Sequence, residues 1–193
     1  MESILLTEKI TLAFLVVLFV VQCVARPRVR RTLPWFWVSA FVGIFGVLAY
    51  WTYLQHSLWS VGGLGKFSLP PYQSLSYFVG YVAERFFAPW GIALLAGFGV
   101  AMVSRWMNRS YGARFFEPEE PWLIGLCFFL SGYPTFLFYL VLVFAAGFCL
   151  SLSYTLMRRG RAPLYYWWVP LAFSAIILKN YLLPASILNF FIF

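Results

Sequence analysis

Side chains able to do acid, base, nucleophilic or metal chemistry are few in this 193-residue sequence, and each can be taken in turn. Every acid is a glutamate: Glu2, Glu8, Glu84, Glu117, Glu119 and Glu120. Aspartate is absent and His56 is the sole histidine. A paired-aspartate site, a Ser-His-Asp triad and a multi-histidine metal or haem centre are therefore excluded for want of residues. Glu117, Glu119 and Glu120 place half of all the acids within four residues. Carboxylates that close can share a proton, one of them titrating high, which suits acid/base work or cation binding. The competing reading is a solvated loop in which the glutamates pair with Arg105, Arg109 or Arg114. Three carboxylates beside Pro118 and Pro121 make no specific metal motif, so no metal and no cofactor are expected. Glu119 and Glu120 are the catalytic candidates.

The remaining groups are more isolated. Glu84 and Arg85 adjoin an apolar segment, and an ionisable residue at membrane depth is a functional hypothesis by default. If residues 72–87 lie in the membrane interface, both simply reach water or headgroups. His56 reads as an interfacial histidine. Gly62-Gly63-Leu64-Gly65 is no phosphate loop, because neither a preceding strand nor a closing Lys-Ser/Thr is present. Cys23, Cys127 and Cys149 sit in apolar runs without CxxC spacing and read as buried free thiols. Trp35-Phe36-Trp37 and Tyr165-Tyr166-Trp167-Trp168 each follow an arginine cluster, as an aromatic belt would; a lipid or partner groove is the alternative. Asn108-Arg109-Ser110 matches a glycosylation sequon.

The elements that hold these groups are set by composition. The chain is 63% hydrophobic and 10% charged, with a mean hydropathy of +0.82. That is too little charge to cover a water-facing surface. The reading is an all-α, polytopic transmembrane helix bundle in one domain, with about six spans at 10–25, 35–54, 86–103, 122–131, 135–157 and 164–178. Residues 56–72, rich in glycine and proline, are expected to form an extracytoplasmic loop, followed by an interfacial segment to residue 87. The apolar run 122–157 is too long for one span. Gly132-Tyr133-Pro134 divides it into a short fourth segment, which needs protein neighbours, and a full fifth. Ala93, Gly97 and Ala101 recur every four residues and put a small-residue packing face on the third span. The run 182–193 is left open as a half-span, an interfacial helix or part of a further crossing.

Orientation follows from the arginines. Clusters at 26–31, 105–114 and 158–161 hold ten of the eleven and fall on one side, which the positive-inside rule assigns to the cytoplasm. The N-terminus and the glycine loop are then outside, and the sequon is inside, where it would not be modified. The first apolar stretch reads as a retained span, since its basic cluster follows it instead of preceding it. The net charge of +8 sits in these clusters and does not point to nucleic acid.

From Phe98 onward the arrangement resembles the type IV prepilin peptidase family. It has a glycine-containing span, a basic linker with Gly112, an acidic boundary, Leu123-Ile124-Gly125-Leu126, a break at Gly132-Tyr133, a further span, an arginine-rich loop and Pro170-Leu171-Ala172. A weaker echo lies at 26–34, where the family has its first catalytic aspartate and an Ile-Pro-Asn turn; here the turn reads Leu33-Pro34-Trp35. The second aspartate belongs to Gly-x-Gly-Asp, and the corresponding residues are Glu117-Pro118-Glu119-Glu120. With both aspartates missing, the resemblance implies shared architecture without shared activity.

Three functional readings follow. The preferred one is a non-catalytic, multi-pass subunit or scaffold of an inner (cytoplasmic) membrane assembly, a pseudo-peptidase in a pilus, secretion or conjugation apparatus. Membrane lipids and other membrane subunits are its expected partners, with Arg26, Arg28, Arg30, Arg31, Glu117, Arg158, Arg159 and Arg161 as contacts. The second is an intramembrane enzyme, peptidase-like or lipid-modifying, using the glutamate cluster. The third is a small transporter or lipid-binding protein in which a polar cavity reaches Glu84.

Overall fold

The computed structural model describes residues 2–112, 116–157 and 164–182, which are helical almost throughout and contain no strand. The helices are α1 (Glu2–Val24), α2 (Arg26–Val61), α3 (Leu75–Val82), α4 (Ala88–Ser110), α5 (Glu120–Ser131), α6 (Thr135–Leu156) and α7 (Trp168–Leu182). A π-helical turn, Ala83–Phe87, joins α3 to α4, and short 3-10 segments lie at Leu64–Ser68 and Tyr165–Trp167. Four stretches are long and apolar enough to cross a membrane: Leu6–Val24, Arg28–Val61, Leu75–Ser110 and Thr135–Leu156. The spans read from sequence at 10–25, 35–54, 86–103 and 135–157 fall on these. Those at 122–131 and 164–178 fall on the shorter α5 and α7, of 12 and 15 residues.

Several boundaries differ from the sequence reading. Residues 26–34 are not a loop: α2 begins at Arg26, so the arginine cluster rides on its first turns and Leu33-Pro34-Trp35 is helical. Pro27 fits because the first turn of a helix has no hydrogen-bond partner for its N–H, while Pro34 costs the interior one ladder bond. At the other end α2 runs past His56 to Val61, since nothing breaks the helix before Gly62 and Gly63, which take φ of 149° and 74°. Segment 72–87 is chiefly helix continuous with α4. The break at 132–134 is real, with Gly132 at φ 70° between α5 and α6. Arg114, Arg158, Arg159, Arg161 and the run 183–193 lie outside the described residues.

α5 is the axis of the bundle. It packs against α1, α2, α4, α6 and α7, and all its residues except Trp122 are buried. Its closest partner is α4, on which Ala93, Gly97, Ala101 and Ser104 are all buried. A Cβ placed on Gly97 would sit 2.5 Å from the Gly125 carbonyl oxygen; one on Gly125 would meet the Gly97 carbonyl at the same distance. Two backbones in direct contact gain dispersion along their length, the force that joins helices where hydrophobic burial cannot. The longer helices are apolar yet open. No more than 28% of each crossing-length window is buried, and Val141, Phe144 and Phe148 on α6 are each at least 65% exposed.

The helices alternate in direction around α5. Lining residues from the start of α1, the end of α2, the Ala83–Phe87 turn, the α5–α6 junction and the end of α7 meet at one end. The start of α2, the end of α4 and the start of α5 meet at the other. Arg26, Arg30, Arg105 and Arg109 all belong to that second end.

Candidate functional site

Helical spacing builds the arginine-bearing end. On α2, Arg30, Leu33, Pro34 and Trp37 lie at i, i+3, i+4 and i+7, one face of the helix. On α4, Phe98, Arg105, Asn108 and Arg109 lie at i, i+7, i+10 and i+11, again one face. With Pro118, Glu119, Pro121 and Trp122 from the segment that opens α5, they enclose a cavity of about 610 Å³. Its floor is aromatic: the Trp37 ring lies 4.7 Å from that of Phe98 and stacks at 5.9 Å, nearly parallel, with Phe129. The Trp37 indole N–H donates to the Trp122 carbonyl at 3.2 Å, so the polar atom of the floor is satisfied. The Arg105 guanidinium stands 5.6 Å from the Trp122 ring, within cation–π range.

The glutamate cluster is divided in use. Glu120 is 5% exposed; one carboxylate oxygen accepts the indole N–H of Trp168 at 3.1 Å, and the other accepts the Glu117 backbone N–H at 2.7 Å. One side chain thus ties the start of α5 to the start of α7 and fastens the loop ahead of it. Burial, the dominant effect, raises its pKa above the ordinary carboxylate value, against the pull of both hydrogen bonds. The solvated-loop reading paired the glutamates with Arg105, Arg109 or Arg114; among the described residues Glu117 instead forms a 2.5 Å ion pair with Arg26 at the start of α2. Arg26 also stands over Tyr165, 4.9 Å from the ring centroid. Glu119 alone of the three lines the cavity. The three side chains thus have different contacts: Glu120 with Trp168 and the loop backbone, Glu117 with Arg26, and Glu119 at the cavity, while the charges of Glu117 and Glu119 add to the rise at Glu120.

Other sequence candidates are placed as follows. Asn108 brackets Phe116, donating to its carbonyl at 2.8 Å and accepting its N–H at 3.1 Å, which commits the sequon amide to the backbone. His56 is exposed and packs edge-on against Phe78 at 5.3 Å. Of the cysteines only Cys127 is buried; Cys23 and Cys149 are exposed on apolar helices, contrary to the reading of all three as buried. Trp35 is exposed, whereas Trp37, Tyr165 and Trp168 turn inward: two residues apart on a helix, Trp35 and Trp37 face opposite sides, and Tyr165 and Trp168, three apart, share the inward one while Tyr166 and Trp167 face out. Arg28 and Arg31 are exposed outside the cavity.

The opposite end holds a second cavity, about 480 Å³, with Thr7, Thr11, Gln55 and Arg85 in its wall. Glu84 is exposed and does not line it. Glu8 and Lys179, also in that wall, form an ion pair between α1 and α7, with side chains 14% and 11% exposed. Sequence reasoning missed this pair; the available signal was Lys179 as the one charge of α7, with Glu8 among the three charges at the start of α1. It also missed Gln22, wholly buried on α1, which donates to the Tyr165 carbonyl at 2.5 Å.

Among the described residues no group of three or more histidine, cysteine or acidic side chains could hold a metal ion. No protein-family model matches the sequence, and no curated protein and no solved structure matches it.

Proposed function

We propose that the chain is a multi-pass protein of the cytoplasmic membrane that serves as a non-catalytic component of a larger membrane assembly. The observation that carries this reading is the fate of the glutamate cluster. Glu120 holds α5 to α7 and Glu117 holds the loop to α2, which leaves Glu119 as the cavity's carboxylate among the described residues. Acid/base catalysis of the peptidase kind needs two carboxylates facing one substrate. The exposed apolar faces of α4 and α6 supply surface for lipid and for neighbouring subunits. The likeness in arrangement to prepilin peptidases directs the reading to a pilus, secretion or conjugation apparatus.

Replacing Glu119 and Glu120 in turn by glutamine tests the proposal. In cells that need the protein, both variants are expected to support the process at the parental level, given equal amounts in the membrane. Loss of the process in either, with the protein level and fold unchanged, would favour the intramembrane enzyme. A second reading, that of a lipid-binding protein, is favoured by the arginines at the cavity mouth and is compatible with the first.

A further inference from the structure

We propose that the cavity between α2, α4 and α5 binds the headgroup phosphate of an anionic membrane phospholipid. The inference rests on the membrane-embedded reading above and gives it a ligand class. Arg30, Arg105 and Arg109 line the cavity against Glu119, a balance of three positive charges to one negative. Among the described residues none of these arginines has an ion-pair partner, whereas Arg26, outside the cavity, is paired with Glu117. Three guanidinium groups around one opening repel one another, and an anion held between them removes that repulsion. The planar donor fork of arginine matches phosphate oxygens two at a time, which a lysine would not do.

The ligand must also be apolar at one end. Below the arginines the wall is Leu33, Trp37, Phe98 and Trp122, and the Trp37 indole N–H there already donates to the Trp122 backbone carbonyl. A small free anion would leave this surface uncovered. A volume of about 610 Å³ falls in the range of small-ligand pockets and has room for a headgroup with its glycerol. Met102, a turn from both Phe98 and Arg105 on α4, is 51% exposed and extends the apolar surface out of the cavity for an acyl chain. The site's level agrees: all three arginines lie at the end of the bundle where apolar helices give way to charge, the depth of lipid phosphates.

The test uses the full chain purified in mild detergent, stripped of lipid, and mixed with phosphatidylglycerol or phosphatidylcholine before native mass spectrometry. Phosphatidylglycerol is expected to give one tight adduct and phosphatidylcholine a much weaker one. R105Q/R109Q should weaken the phosphatidylglycerol adduct by about tenfold or more. R28Q/R31Q, which removes equal charge outside the cavity, should change it by less than about twofold. Arg30→Gln gives a second reading in the same direction should the double variant fail to fold, as judged by helix content and thermal midpoint. Undiminished binding in the folded cavity variants, equal loss in R28Q/R31Q, or equal adducts with phosphatidylcholine would overturn the proposal. Displacement by millimolar inorganic phosphate would assign the site to free phosphate and overturn the lipid source. Release of the protein from membranes by alkaline carbonate would contradict the membrane-embedded reading itself, so the two failures are told apart.

Discussion

Glu120 shows how one side chain can be shaped by burial more than by its neighbours. Its carboxyl is raised above the ordinary 4.5 chiefly by desolvation, so the folded protein holds the proton more tightly than the unfolded chain does. Between 4.5 and the raised value the folded state therefore binds more protons. Stability is fully present below that window and falls as pH rises through it. Thermal unfolding in detergent across this range should show the decline in the parent and not in Glu120→Gln; an unchanged decline in the variant would assign it elsewhere. Glu120→Ala leaves the Trp168 indole N–H and the Glu117 backbone N–H without their acceptor and should cost about 1–3 kcal/mol at neutral pH. The cluster's position was legible in the sequence, because three carboxylates beside two prolines stand out in so apolar a chain. How its members divide was not: Arg26 and Trp168 come from other helices, and no local pattern selects them over the nearer Arg105 and Arg109.

On the scale of elements, the bundle depends on the contact of α4 with α5. Gly97→Ala puts a methyl carbon 2.5 Å from a backbone oxygen that cannot move without its helix, and should lower stability by about 1–3 kcal/mol. Gly99→Ala, two residues away on a face with open space, is the control. It should be neutral or stabilising by up to about 1 kcal/mol, since alanine is the better helix former. Equal effects of the two substitutions would show that close backbone approach is not what joins these helices. The small-residue spacing at 93, 97 and 101 was readable, but its partner Gly125 lies alone in a bulky run and gives no periodic signal. The start of α2 was read late, at 35, because four arginines and two prolines look like loop residues, and its end early, at 54, because His56 opens the stretch that holds the glycines and prolines up to Tyr72. In this chain those arginines and the two prolines among them continue the helix, with charge at its polar end.

For the whole molecule, the Glu8–Lys179 pair joins the first and last described helices across 171 residues. Lys179→Met would leave the Glu8 carboxylate short of its cation in a setting only 14% exposed, and should cost about 2 kcal/mol. Adding Glu8→Gln should restore part of that loss, because a neutral amide does not need the cation. Full additivity in a double-mutant cycle would deny the coupling. An all-helical membrane-type architecture could be read from composition, and the common end of Arg26, Arg30, Arg105 and Arg109 from the positions of the first two clusters. The closing of α1 against α7 could not, since apolar helices offer many faces of similar character and only tertiary packing selects among them.

The central claim is that the chain works as a non-catalytic part of a membrane assembly, and co-purification tests it most directly. Tagged protein is extracted from membranes in a mild detergent, and the mass and composition of the isolated species are determined. Membrane proteins of one apparatus recovered in fixed stoichiometry are the predicted result. A lone, monodisperse 22.3 kDa species would contradict it.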